Sequence, residues 1–128
     1  MTITKILVVD DNTQMRNLLR ITFSTYPQQY ALFQAQNGRE AIEIIKTERP
    51  EIIFLDVMMP GDIDGLDVCE FVKSSDEFKS SFVVLLSAKG QKQDIASGLE
   101  AGADKYITKP FSPITLLDVV TEICTTTV

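Results

Sequence analysis

The 128-residue chain has no histidine and no tryptophan, and its two cysteines are Cys69 and Cys124. Without imidazole, a histidine-dependent catalytic triad or a common zinc site is hard to build. The cysteines form neither a disulfide framework nor a metal-ligand spacing, and are read as core or surface filler suited to a reducing compartment. Long hydrophobic runs are also missing. No apolar stretch approaches the ~20 residues that span a bilayer, and the N-terminus lacks the apolar region of a signal peptide. The expectation is a cytoplasmic protein with no membrane association. Positive charge is in deficit, with 12 Lys and Arg against 18 Asp and Glu, a net −6. A phosphate-backbone binder needs a basic face, so direct nucleic acid binding by this domain is not expected.

What the chain does have is a hydrophobic share of 45% with 23% charged residues, the balance of a globular domain. Its length suits one domain, taken as residues 1–128, with no output domain in this chain. Three apolar runs organise it. Ile6-Leu7-Val8-Val9 leads into Asp10-Asp11, Ile52-Ile53-Phe54-Leu55 into Asp56, and Phe82-Val83-Val84-Leu85-Leu86 into Ser87. Continuous short apolar runs read as strands buried on both faces, the habit of parallel sheets covered by helices. Polar residues then stand at the strand ends, the edge where open α/β sheets bind ligands.

Between these runs the punctuation alternates strictly. A first strand near Lys5–Val9 precedes a helix from about Thr13 to Tyr26, with Pro27 marking its end. A second strand near Tyr30–Ala35 leads through Asn37-Gly38 to a helix carrying Ala41, Ile42, Ile44 and Ile45, which closes before Pro50. After Asp56 comes a long loop, Val57 to Gly65, then a helix carrying Leu66, Val68, Cys69, Phe71 and Val72. A polar helix lies between about Gln91 and Ala101, with Gly102 as its left-handed stop. Lys105 to Thr108 make the fifth strand. Ser112 caps the last helix, Pro113 takes its first position, and Leu116, Leu117, Val120 and Ile123 form its inner stripe. Five strand-helix units in this order predict a five-stranded parallel sheet with right-handed crossovers and helices on both faces.

Asp10, Asp11 and Asp56 should therefore converge, repelling one another by ~4 kcal/mol per pair at ~4 Å and an effective dielectric near 20. A hard divalent cation with oxygen ligands relieves that conflict, which suggests magnesium. Asp56 suits a carboxylate nucleophile, and aspartyl phosphate formation is a known covalent strategy. Lys109 and Ser87, also at strand ends, supply the cation and hydroxyl that phosphoryl transfer needs. Taken singly, Asp10-Asp11 would be a turn and helix cap, Ser87 a cap and Lys109 a surface charge.

Val9-Asp10-Asp11-Asn12, Phe54 to Gly61, Leu86-Ser87-Ala88-Lys89 and Gly102 to Phe111 together resemble the receiver (CheY-like) domain of two-component response regulators, over essentially the whole chain. The resemblance implies a flavodoxin-like, doubly wound (βα)5 fold. It also implies a phosphoryl group passed from a histidine kinase or histidine phosphotransfer protein to Asp56. Magnesium, with manganese as a substitute, would be held by Asp11, Asp56 and the backbone carbonyl of Met58, with Asp10 acting mainly through water. Lys109 would pair with the phosphoryl group, and Ser87 and the Ala88 amide would donate to it. Ser87 and Tyr106 would form the switch that alters the face of the fourth helix, fifth strand and fifth helix for a downstream effector or a linked output domain. The same face, where Ile114 points outward, is a candidate homodimer surface. Lys89 matches a position that tunes autodephosphorylation, and Lys109-Pro110 is expected to be cis. Such a protein has no metabolic substrate and catalyses only its own phosphotransfer and dephosphorylation.

One departure is the loop Gly61-Asp62-Ile63-Asp64-Gly65, a residue longer than the family's usual pattern. Other readings are weaker. A haloacid dehalogenase-type phosphohydrolase would place a second aspartate two residues after the nucleophile, where this chain has Met58. A flavin or nucleotide binder would not want Asp10-Asp11 beside a phosphate. A receiver-like interaction scaffold remains the alternative should Asp56 accept nothing.

Overall fold

In the computed structural model, which describes residues 4–26, 29–88 and 90–126 with side chains to Ile123, each apolar run is a strand. The order is β1 (Thr4–Val9), α1 (Thr13–Phe23), β2 (Tyr30–Ala35), α2 (Gly38–Glu48), β3 (Ile52–Asp56), α3 (Gly65–Lys73), β4 (Phe82–Ser87), α4 (Lys92–Glu100), β5 (Lys105–Thr108) and α5 (Pro113–Thr126). All strand pairs are parallel, in the order β2-β1-β3-β4-β5. The chain thus winds first to one side of β1 and then to the other, and the switch falls between β1 and β3.

The lack of alternation in the strands has a direct physical meaning. Successive side chains leave opposite faces of a strand, and both faces are covered. Ile6, Val8, Ile52, Phe54, Val84 and Leu86 pack with Leu19 and Phe23 of α1 and Leu116, Val119 and Val120 of α5. Leu7, Val9, Ile53, Leu55, Val83 and Leu85 pack with Ala41 and Ile45 of α2, Val68, Cys69 and Val72 of α3, and Ala101 after α4. Each fully buried Leu, Ile or Phe contributes roughly 1.5–3 kcal/mol of transfer free energy. The Phe23 and Phe54 rings meet at 5.6 Å across the first of these interfaces.

Local signals set the helix ends. The Asn12 side chain accepts from the Gln14 and Met15 amides at the start of α1. Asn37 does the same for Glu40 in α2, and Asp64 and Asp67 form a reciprocal capping box on α3. At the end of α4, Gly102 has φ +100, its N–H donates to Leu99 and that of Ala103 donates to Gly98, the Schellman closure. Arg49 ends α2 in the left-handed region (φ 51), because Pro50 disfavours the right-handed one for its predecessor. The first helix stops at Phe23 rather than Tyr26. Ser24 and Thr25 turn their hydroxyls onto the Ile21 and Thr22 carbonyls, and the backbone tightens to i→i−3 bonds there. Pro27 and Lys89 lie outside the described residues, as does the side chain of Cys124. Among the described residues, no helix is long and apolar enough to cross a membrane.

Candidate functional site

Strand register decides which side chains meet. Val9 pairs with Leu55, Asp56 with Leu86, and Ser87 with Thr108. The ladder continues a residue beyond the strands. The Asp10 N–H donates to Ala35 (3.1 Å), that of Val57 to Leu86 (3.0 Å) and that of Lys109 to Ser87 (2.7 Å). The residues immediately after β1, β3 and β5 are therefore held by backbone hydrogen bonds, and their side chains project from a rigid edge.

Asp10 is 1% exposed and Asp56 5%, whereas Asp11 is open to solvent. One carboxylate oxygen from each of the three lies within 4.8 Å of the others. The Lys109 ammonium stands 3.3 Å from Asp10 Oδ2 and 3.5 Å from Asp56 Oδ1. Further backbone donors and a guanidinium brace the set. The Asn12 N–H donates to Asp10 Oδ1 (2.9 Å), Arg16 Nη1 to the Asp10 carbonyl (2.5 Å) and the Met58 N–H to Asp56 Oδ1 (3.4 Å).

Burial, followed by the neighbouring Asp10 charge, raises the Asp56 carboxyl to about 6, and Lys109 partly offsets both. Three carboxylates against one ammonium leave this edge electron-rich and short of positive charge. Such a donor set suits a small, hard divalent cation. Burial likewise pushes the Cys69 thiol up to about 11, so it is an inert core residue at neutral pH, as the sequence suggested.

The remaining residues named from sequence sit around this cluster. Ser87 is buried at the end of β4, and Ala88 is exposed just beyond it. The Lys109-Pro110 bond is cis, as anticipated. Tyr106 is half-buried and packs toward the α2–α3 side of the sheet, its ring against α4 at Gly98, where a Cβ would come within 2.7 Å of Tyr106 Cδ2. Met58 and Asp11 line one open groove with Val57, Met59, Pro60, Asp64 and Leu66.

Two contributors were not singled out from sequence. Arg16, in the first turn of α1, reaches back to the Asp10 carbonyl, and its signal was a cation six residues beyond a strand-end carboxylate. Gly65 begins α3 pressed against β3, where a Cβ would fall 2.2 Å from the Asp56 carbonyl. Only a residue without a side chain lets the helix start so close to Asp56.

The description "Response regulator receiver domain" belongs to the family model that matches residues 6–121. Among characterised proteins, the transcriptional regulatory protein ResD of Bacillus subtilis (strain 168) is 44% identical over 110 residues, covering 86% of this chain and 43% of ResD. The chain thus spans less than half the length of that relative. Of solved structures, the receiver domain of Francisella response regulator 1452 superposes with a TM-score of 0.86 at 29% identity, covering 98% of this chain and 99% of that one. The BeF3-activated receiver domain of DrrB gives 0.82 at 29% identity over 94% and 97% of the two chains. The response regulator DrrB, a Thermotoga maritima OmpR/PhoB homolog, gives 0.84 at 28% identity over 96% of this chain and 53% of that one. With its parallel five-stranded sheet and acidic strand-end cluster, the chain belongs to the response regulator receiver domain family of two-component systems.

Proposed function

We propose that this domain is a phosphoacceptor switch in which Asp56 takes a phosphoryl group from a phosphohistidine on a histidine kinase or histidine phosphotransfer protein. The observation that carries the reading is one buried strand-end carboxylate with two further carboxylates and the Lys109 ammonium converging on it. An Asp56 oxygen forms the new O–P bond as the donor's N–P bond breaks. The departing imidazole nitrogen keeps the electron pair and takes up a proton. Charge spread over the equatorial phosphoryl oxygens is met by Lys109, the Ser87 hydroxyl and the Ala88 N–H. Hydrolysis reverses the state, with water attacking phosphorus and the Asp56 carboxylate leaving.

The donor set fits magnesium, or manganese in its place: Asp11, Asp56 and the Met58 carbonyl would hold it, with Asp10 acting mainly through water. When bound, the cation supplies positive charge beside the transferred group. Asp56, Lys109 and Ser87 are thus the reacting residues, and Ser87 with Tyr106 forms the switch. The readout surface is the α4-β5-α5 face, where Leu99 and Ile114 are exposed. That face serves a downstream effector, a linked output domain or a second copy of the domain. The similarity to ResD, a transcriptional regulatory protein, favours a linked output domain. With its net charge of −6 the receiver domain itself takes no direct part in nucleic acid binding. Residues 1–128 act as one domain, in the cytoplasm, with no metabolic substrate.

The test is intact mass after incubation with acetyl phosphate and magnesium. A phosphoryl adduct that disappears in Asp56→Asn and without magnesium is the expected result. Its absence with both acetyl phosphate and a competent histidine phosphotransfer protein would leave an interaction scaffold as the reading.

A further inference from the structure

The β3–α3 loop, which by sequence has one residue more than the usual receiver pattern, runs against α2. Gly61 (φ +106) turns the chain outward toward α2. There Asp62 Oδ2 meets Arg39 Nη2 at 2.5 Å. Ile63 then seats directly on Gly38, the first residue of α2: a Cβ on Gly38 would lie 2.5 Å from Ile63 Cγ2 and 2.6 Å from the Ile63 carbonyl. Ile63 also joins the apolar cluster on that side of the sheet. Asp64 caps α3, and the Gly65 N–H donates to Val57 at 3.0 Å, closing the loop on itself.

The loop therefore has two faces. One, through Met58, Met59 and Pro60, lines the groove shared with Asp11. The other, through Pro60 to Ile63, lines a smaller cavity of about 140 Å³ against Asn37, Gly38 and Arg39. Pro60 belongs to both, so an anchor on the α2 side is five residues from Met58 and mechanically continuous with it. The Arg39–Asp62 pair is solvent-exposed and weak. The Ile63–Gly38 contact is close and carries no charge for salt to screen, which makes it the stronger anchor.

We infer that Ile63, clasped on Gly38, is a positioning residue for the divalent cation: it holds the loop so that the Met58 carbonyl is presented to Asp11 and Asp56. This rests on the magnesium reading given above. Groups that orient metal ligands without touching the metal commonly change affinity by about 10–100-fold when removed. The cation's own affinity, and not only phosphotransfer, should therefore depend on Ile63.

The experiment is calorimetric titration of the unphosphorylated protein with magnesium chloride, for wild type, Ile63→Ala, Ile63→Val, Gly38→Ala and Asp11→Asn, with thermal melts of each. Magnesium binding that weakens about tenfold in Ile63→Ala and Gly38→Ala, and recovers in Ile63→Val, is the expected result. Folded Ile63→Ala protein with wild-type magnesium affinity would overturn the clasp while leaving the metal site intact. Should Ile63→Ala fail to fold, folded Gly38→Ala protein with wild-type magnesium affinity would overturn the clasp, and weakened binding there with wild-type binding in Ile63→Val would support it. No binding by wild type, or none that depends on Asp11, would bring down the metal reading and the clasp together.

Discussion

At the edge where β4 and β5 begin, Lys73 Nζ lies 2.7 Å from Asp104 Oδ2 and donates to the Ser81 and Lys79 carbonyls at 2.6 and 3.0 Å. Asp104 in turn accepts from the Val83 N–H at 2.8 Å. One ammonium meets one carboxylate, and the spare donors find backbone acceptors. At the opposite edge three carboxylates crowd together, two of them meeting one ammonium, and burial pushes Asp56 upward. A matched pair closes the loops that lead into strands and asks for nothing more. An unmatched set is unfavourable on its own and becomes favourable when a ligand brings positive charge, so the imbalance marks the candidate functional edge.

Four substitutions sharpen this contrast. The largest effect should follow Lys109→Ala, which among the described residues removes the ammonium that meets Asp10 and Asp56. The rate of adduct formation from acetyl phosphate should fall about a hundredfold, the usual scale for losing one charge-stabilising group. A time course of intact mass reads it, and an unchanged rate would show that this ammonium does not act on the phosphoryl group. Next, Asp104→Ala should destabilise the fold by about 2 kcal/mol, because Lys73 is left partly buried beside backbone carbonyls. Its adduct rate should match wild type once folded. A phosphorylation defect there would erase the distinction between the two edges.

Smaller, and of opposite sign, is Asp56→Asn in magnesium-free buffer. The folded-state value of about 6 lies above the ordinary 3.8. The folded state therefore binds the extra proton between these values, and the carboxylate destabilises the fold fully above about 6. Asn should stabilise the fold at pH 7 by about 1 kcal/mol once screening and the lost Lys109 contact are allowed for, read as a higher midpoint of thermal unfolding. That gain should shrink as pH falls from about 6 toward 3.8 and vanish below it. A gain that is constant with pH would mean that charge is not its cause. The smallest expected change in stability is for Ile114→Glu, at 62% exposure, within about 0.5 kcal/mol of wild type. Sedimentation of the phosphorylated protein should nonetheless show weaker self-association; an unchanged profile would remove this face as a dimer surface.

Much of this architecture was legible in the residues. The runs at Ile6–Val9, Ile52–Leu55 and Phe82–Leu86 announced strands covered on both sides, because no polar residue interrupts them. Gly102 and Pro113 punctuated helices through backbone preferences that act locally. The polar residues ending each run could be placed at one edge once the sheet was taken as parallel. The first helix ran long in that reading because Pro27 was taken to mark its end. The hydroxyls of Ser24 and Thr25 capture the last carbonyls instead, a competition that spacing alone does not reveal.

Chain order and side-chain type determined by themselves that this would be a parallel α/β domain with carboxylates, a hydroxyl and a lysine at its strand ends, since burial pattern and turn chemistry are local. Tertiary structure alone decided that Asp10 is buried while Asp11 is open, that Arg16 braces Asp10, and that the β3–α3 loop rests Ile63 on Gly38. Each of these depends on where a residue from a distant part of the chain, or from another turn, comes to stand. Local propensity carries no record of that distance, and the close packing of the sheet and helices sets it.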